Sequence, residues 1–179
     1  MQRTIRLLLQ PTEDQRQALL ETIRQQTECF NTVAAFGWLH QEKNGVRLHQ
    51  ETYRELRIRF PALPSQLVCP SRVRATEAIK SAMQLQKKGR KAKQPMANLL
   101  PVRYDARSYR QCVSEGVFRL STIAGRLPIA FKANPHAQGW LDQAVGFDSA
   151  DLKLRDGQFW LHVVLTIPTP DRIESDQVV

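Results

Sequence analysis

The chain has 179 residues, is 42% hydrophobic and carries a formal net charge of +9. Its length accommodates one sizeable core or two small cores in adjoining subdomains. No stretch approaches the roughly 18 apolar residues of a membrane span, and the apolar run Leu7-Leu8-Leu9 is too short for a secretory signal, so a cytoplasmic protein with no membrane partner is expected. Cys29, Cys69 and Cys112 are far apart and include no CxxC pair, which points to neither a disulfide framework nor a structural zinc site.

The charge is unevenly spread. Residues 51–100 hold eleven Lys/Arg against three acids, a net +8, whereas residues 151–179 hold three bases against five acids, a net −2. A field concentrated in one segment points to a polyanionic partner.

Residues 1–10 alternate loosely, with Ile5, Leu7 and Leu9 on one side, and read as a strand that Pro11 ends. Thr12 is placed to cap a helix, with Gln15 completing a capping box. Leu19, Leu20, Ile23, Phe30, Val33, Ala34, Gly37 and Trp38 then recur at helical spacings as far as the turn dipeptide Asn44-Gly45. Residues 51–60 form a short basic helix, broken by Pro61 and Pro64. A longer helix covers 65–88, with Val68, Val73, Ala75, Ala78, Ile79, Ala82, Met83 and Leu85 as its apolar stripe. Pro70 leaves open whether the first turn begins at Ser65 or after the proline. Residues 87–93 leave that helix as a basic loop.

From Leu99 the period changes to alternation. Residues 102–105, 111–114, 117–121 and 127–131 read as short strands, punctuated by Gly116 and Gly125. Residues 152–155 and 158–167 flank Asp156-Gly157, a strong hairpin signal. In the last strand Phe159, Leu161, Val163 and Leu165 share one face, and Trp160, His162 and Val164 the other. The order of strand, helices and many strands predicts an α+β fold, a β-barrel-like module with a helical insertion after its first strand.

Four features carry a resemblance. The first strand passes through Leu9-Gln10-Pro11-Thr12 into a helix containing Cys29-Phe30-Asn31; Leu63-Pro64-Ser65-Gln66 opens a helix reaching Ala78-Ile79-Lys80. Val102-Arg103-Tyr104-Asp105-Ala106-Arg107-Ser108 precedes residues 117–121 and Gly125-Arg126, and the closing hairpin leads into residues 168–179. In order and spacing the chain resembles the N-terminal half of the TnpB family, the RNA-guided nucleases of insertion sequences related to type V CRISPR effectors. The resemblance implies an oligonucleotide-binding-like β-barrel, the wedge domain, whose first strand is residues 1–10 and whose remainder is 99–170. It implies a helical recognition domain at 11–98 and a linker at 171–179 toward a RuvC nuclease domain. Guide RNA and double-stranded target DNA are the implied partners, in a prokaryotic, nucleoid-associated setting, with a short target-adjacent DNA motif to be read. The family's catalytic acids and late CxxC element have no counterpart here. Mg²⁺ and cleavage are therefore expected only with a RuvC-containing segment or a second copy, and no cofactor is expected in this chain. Two alternatives stay open: part of an Mg²⁺-dependent RNA-guided endonuclease whose RuvC half is a separate segment, and a guided DNA-binding repressor that does not cut.

The candidate binding residues follow from charge and position. Arg72, Arg74, Lys80, Lys87, Lys88, Arg90, Lys91 and Lys93 face a single acid, Glu77, in the same stretch. Lys and Arg displace counterions from phosphates, and helix-borne Arg forks onto a phosphate or a guanine edge. Ser65, Gln66 and Arg72 stand near a helix start whose free N–H groups suit phosphate or a groove edge, although Cys69-Pro70 stands where the family is polar; a plain cap and core helix is the other reading. Arg54 and Arg57 share a helical face suited either to a nucleic-acid backbone or to pairing with Glu51 and Glu55. Arg103, Tyr104, Arg107, Arg119 and Arg126 scatter cations and one aromatic among the strands, as a barrel that binds by stacking and charge requires, with Tyr104 equally readable as core. Asp142, Asp148 and Asp151 are the remote candidates for metal carboxylates, in a loop beside the hairpin; no catalytic constellation is otherwise recognisable.

Overall fold

The computed structural model describes residues 1–169. The expected linker at 171–179 lies outside the described residues. The elements are β1 (Gln2–Gln10), α1 (Glu13–Leu39), α2 (Gly45–Arg59), α3 (Ser65–Lys87), β2 (Val102–Tyr104), β3 (Tyr109–Cys112), β4 (Val117–Thr122), β5 (Gly125–Lys132), α4 (Pro135–Asp142), β6 (Gly146–Arg155) and β7 (Gln158–Thr166), with a 3₁₀ turn at Val113–Glu115.

The strands form one antiparallel seven-stranded sheet in the order β2-β6-β7-β1-β5-β4-β3. β1 bridges its two halves, pairing with β7 from Gln2 to Leu8 and with β5 from Leu8 to Gln10. The edge strands β2 and β3 are consecutive in the chain and are joined by a turn at 105–108. The Asp105 carboxylate accepts the Arg107 and Ser108 amides at 3.0 Å and the Ser108 hydroxyl at 2.8 Å. Bringing both edges to one turn leaves the sheet barrel-like and nearly closed. The inward residues are apolar: Ile5, Leu7 and Leu9 on β1, and Phe159, Leu161, Val163 and Leu165 on β7, are all buried. The β6–β7 turn has positive φ at both Asp156 (50°) and Gly157 (73°), which matches the right-handed strand twist.

Helices α1–α3 lie between β1 and β2 in the chain, as the predicted insertion requires, and pack on one another. Thr12 caps α1 with the expected box: its hydroxyl accepts the Gln15 amide (3.4 Å) and the Gln15 side chain accepts the Thr12 amide (3.1 Å). The helix stays attached to the sheet as it leaves it. Gln15 donates to the Pro128 carbonyl (2.9 Å), Arg16 to the Gly157 carbonyl (2.8 Å), and the Ile123 amide to the Thr22 hydroxyl (3.1 Å). Farther along, buried Gly37 lets the three helices converge: a Cβ there would sit 2.4 Å from Ile79 Cδ1 and 2.8 Å from the Glu42 carbonyl oxygen.

Several boundaries differ from the sequence reading. α1 ends at Leu39, and Asn44 opens α2 at Gly45, not a turn alone, because its side chain accepts the Val46 (2.9 Å) and Arg47 (3.4 Å) amides. α3 begins at Ser65 and contains Pro70, which settles that alternative. Strand β6 begins at Gly146, so Asp148 and Asp151 lie on a strand and not in a loop. Helix α4, capped by Asn134 with Pro135 in its first turn, was not anticipated. No helix among the described residues is long and apolar enough to cross a membrane.

Candidate nucleic-acid interface

The C-terminal end of α3 carries the basic stretch. Lys80 and Lys87 lie two turns apart on one exposed face, and with Lys43 from the α1–α2 connection they border a shallow groove floored by Met83 and Gln84. Lys43 is held there by Glu42, whose carboxylate accepts the Lys43 (2.9 Å) and Asn44 (2.7 Å) amides and pairs with Arg47 (3.2 Å). Those backbone hydrogen bonds, that of Asn44 foremost, hold the Glu42 carboxyl below its usual range.

Gly89 ends the helix. Its φ of +71° lets its amide bond the Gln86 carbonyl (2.9 Å) and the Arg90 amide bond the Leu85 carbonyl (3.0 Å), the paired hydrogen bonds of a Schellman cap. This turns Arg90, Lys91 and Lys93 away from the helix axis into solvent. Lys80, Lys87, Lys88, Arg90, Lys91 and Lys93 are all exposed, and none is ion-paired with a described acid. The chain then runs back along α1 to β2. Asn31 clamps it by bonding both the amide and the carbonyl of Ala97 (2.9 Å each), and the Leu100 amide bonds the Thr27 hydroxyl (2.9 Å).

A second basic locus lies where the helices meet the sheet. Ser65, Gln66 and Arg74 of α3 share one open groove of about 630 Å³ with Arg103 and Arg107 from β2 and the turn after it. Residues that are distant in sequence thus converge. Pro64 at the α3 N-cap offers no side-chain acceptor to the first helical amides. The cations are partly engaged. Arg74 donates to the Pro101 carbonyl (2.5 Å), and Arg103 forks onto Asp151 (3.0 and 3.2 Å). Glu77 and Asp105 also line the groove. Burial opposes ionisation of Asp105, but its hydrogen bonds from Ser108 and Arg107 outweigh that and keep the carboxyl below its usual range.

Other candidates have structural roles. Tyr104 is core: it is fully buried inside the sheet, and burial pushes its hydroxyl well up. Arg72 turns inward to the Gly45 carbonyl (3.0 Å) and ties α3 to the start of α2. Arg57 donates to the Leu63 and Pro61 carbonyls and braces the α2–α3 connection, so it does not share an open face with Arg54, which is exposed. Arg119 pairs with Glu115 (3.2 Å), and Arg126 donates to the Arg107 carbonyl. Asp142 accepts from Gln138 (2.7 Å), Asp148 from Gln2 (3.1 Å) and Thr166 (3.0 Å), and Asp151 is held by Arg103. No three ligating side chains cluster among the described residues.

Two features escaped the sequence reading. Lys43 joins the basic groove only through the packing of the α1–α2 connection on α3. A third basic surface, on the outer face of β1, β6 and β7, depends on strand register. The alternation of β7 announced Trp160 and His162 on that face, but their cationic neighbours come from other strands. No family model matches the chain, and no curated protein matches it.

Proposed function

We propose that this chain is a nucleic-acid-binding lobe of a TnpB-like, RNA-guided DNA-targeting protein, which holds a guide RNA and contributes to reading a DNA motif beside the target. The observation that carries the reading is the row of exposed cations at the end of α3: Lys80, Lys87, Lys88, Arg90, Lys91 and Lys93, with Lys43 beside them and no described acid paired to any. Ordinary surfaces intersperse the two signs; a one-sign row offers counterion release to a polyanion. The position of the helical bundle, inserted after the first strand of a barrel-like sheet, agrees with the architecture that the resemblance implies. The groove of Ser65, Gln66, Arg74, Arg103 and Arg107 supports the second half of the reading, because it joins a helix start to guanidinium groups.

The test is a gel-shift series with a structured RNA across salt concentrations. Affinity is expected to fall steeply with salt. Lys87/Lys88/Arg90/Lys91→Ala is expected to weaken binding about tenfold or more and to flatten the salt slope by up to about 0.7–0.9 for each phosphate no longer neutralised. Salt-independent binding, or equal binding by the quadruple variant, overturns the reading.

A further inference from the structure

The outer face of the sheet carries a further site built differently from the α3 row. Strand register sets Trp160 between Lys153 of β6 and Leu8 of β1, with Lys132 of β5 beyond Leu8. One row over, His162 sits between Asp151 and Arg6, and Asp151 is already engaged by Arg103 on β2. Trp160 and His162 are half-buried side chains on the outer face, and both line an open cleft of about 420 Å³ that reaches Asn134 at the α4 rim. Its charged lining is Arg6, Lys153 and Arg155 against one acid, Asp156, which pairs with Arg155 at 3.4 Å.

A second cleft of about 430 Å³ abuts the first, sharing Arg6 and Asn134, and is lined by Arg3, His136 and Trp140, with no acid among the described residues. There the Arg3 guanidinium lies 5.6 Å from the Trp140 ring. Asn134 caps α4 through Oδ1 (2.7 Å to the Ala137 amide), which leaves its amide N–H groups as the donors at the shared rim. The outer-face track of Trp160, Lys153 and Arg6 thus adjoins a rim that adds a second ring and cation, Trp140 and Arg3. The Lys153 ammonium lies 3.3 Å from His162 Nδ1. Burial first, then the Lys153 and Arg6 charges, hold the His162 pKa below its usual value, so the imidazole is a neutral ring beside fixed cations at neutral pH.

We propose that this face of β1, β6 and β7, with α4 at its rim, binds an unpaired nucleobase together with its flanking phosphates, stacking the base on Trp160 and holding the phosphates with Arg6, Lys153 and Arg155. Every base has a π-face, so an aromatic ring with cations spaced beside it suits a single strand better than a duplex, whose bases are already stacked. An acidic peptide would use the cations and leave the indole idle. The site shares no residue with the α3 row and stands apart from the reading proposed above.

The test measures binding of labelled octauridylate RNA to the full chain by fluorescence anisotropy, with a 12-base-pair RNA duplex, AMP and polyglutamate as competitors. Trp160→Ala is expected to weaken octamer binding by about fivefold to a hundredfold, with Trp160→Phe retaining most of the affinity. Lys153→Gln, a milder change, is expected to weaken it severalfold and keeps the test valid should Trp160→Ala fold poorly. Competition by AMP at comparable affinity supports the same base-and-phosphate chemistry with a free nucleotide as its source; competition by octamer alone supports a strand. Unchanged octamer binding by Trp160→Ala, or polyglutamate competing as well as RNA, overturns the proposal. In Lys87/Lys88/Arg90/Lys91→Ala the ratio of affinities with and without Trp160→Ala is expected to persist, so failure of the α3 reading and failure of this one are separately visible.

Discussion

Asn31 on α1 bonds Ala97 from both sides: its side-chain amide donates to the Ala97 carbonyl and its side-chain carbonyl accepts the Ala97 amide, each at 2.9 Å. One side chain thereby substitutes for a strand partner along an otherwise irregular return from α3 to β2. It fixes where the basic segment stops and how closely Lys91 and Lys93 are tethered to the helical bundle.

Asn31→Ala removes both bonds. A typical net hydrogen bond contributes about 1 kcal/mol, so the expected destabilisation is about 1–2 kcal/mol, read as a lowered urea midpoint at unchanged m-value. Amide hydrogen exchange over residues 90–100 is expected to accelerate more than exchange in α1. Equal acceleration in both would assign the effect to the helix and not to the clamp.

Gly37→Ala tests the helix convergence. The new methyl would meet Ile79 Cδ1 at 2.4 Å and the Glu42 carbonyl oxygen at 2.8 Å. Ile79 can shift its flexible end, but the carbonyl belongs to the backbone. Overpacking of this kind costs about 1–3 kcal/mol. Thermal denaturation of Gly37→Ala beside Gly139→Ala is the comparison, because a Cβ on Gly139 meets nothing within 4 Å. Gly139→Ala is expected to be neutral or slightly stabilising.

Tyr104→Phe is expected to leave RNA affinity unchanged. The Tyr104 hydroxyl is fully buried and has no hydrogen-bond partner among the described residues, so its removal deletes a desolvated polar group and not a group that meets a ligand. A melting temperature that is equal or slightly raised accompanies that expectation. A severalfold loss of RNA affinity at unchanged stability would return Tyr104 to the interface.

His162 gives the fold a pH dependence of definite sign. Its folded pKa lies below the ordinary value of 6.5, through burial first and then the neighbouring Lys153 and Arg6. The unfolded chain therefore takes up the proton more readily than the folded one, and stability present above about pH 6.5 is lost as the pH falls through the depressed value. Melting curves at pH values of about 7.5 and about 5.5, on either side of the ordinary histidine pKa, are expected to show a drop for the wild type and a smaller drop for His162→Gln. The comparison with His162→Gln subtracts the contribution of every other titrating group.

The local code was legible because it is local. Thr12 with Gln15, Asp156-Gly157, the alternation of Phe159 to Leu165 and the α3 stripe of Val68, Ala75, Ile79, Ala82 and Met83 each act within a few residues, so most elements and their order followed from the chain alone, as did the concentration of positive charge near the end of α3; Val73 and Leu85, read into the same stripe, are exposed. The short helix α4 was not legible: its capping Asn134 and Pro135 resemble a loop, and eight residues give little periodicity. Nor was the fate of individual cations. Arg54, Arg57, Arg72, Arg74 and Arg103 look alike in sequence, and only packing decides which meet a backbone carbonyl, which meets Asp151 and that Arg54 is exposed. The same holds for the groove that gathers Ser65 with Arg107 and for the track that sets Arg6 beside His162 and Lys153 beside Trp160. Sequence determined what most segments are, because hydrogen-bonded periodicity is a near-neighbour property; the tertiary structure decided which charges are engaged and which rings lie among them, because those depend on residues that share no neighbourhood in the chain.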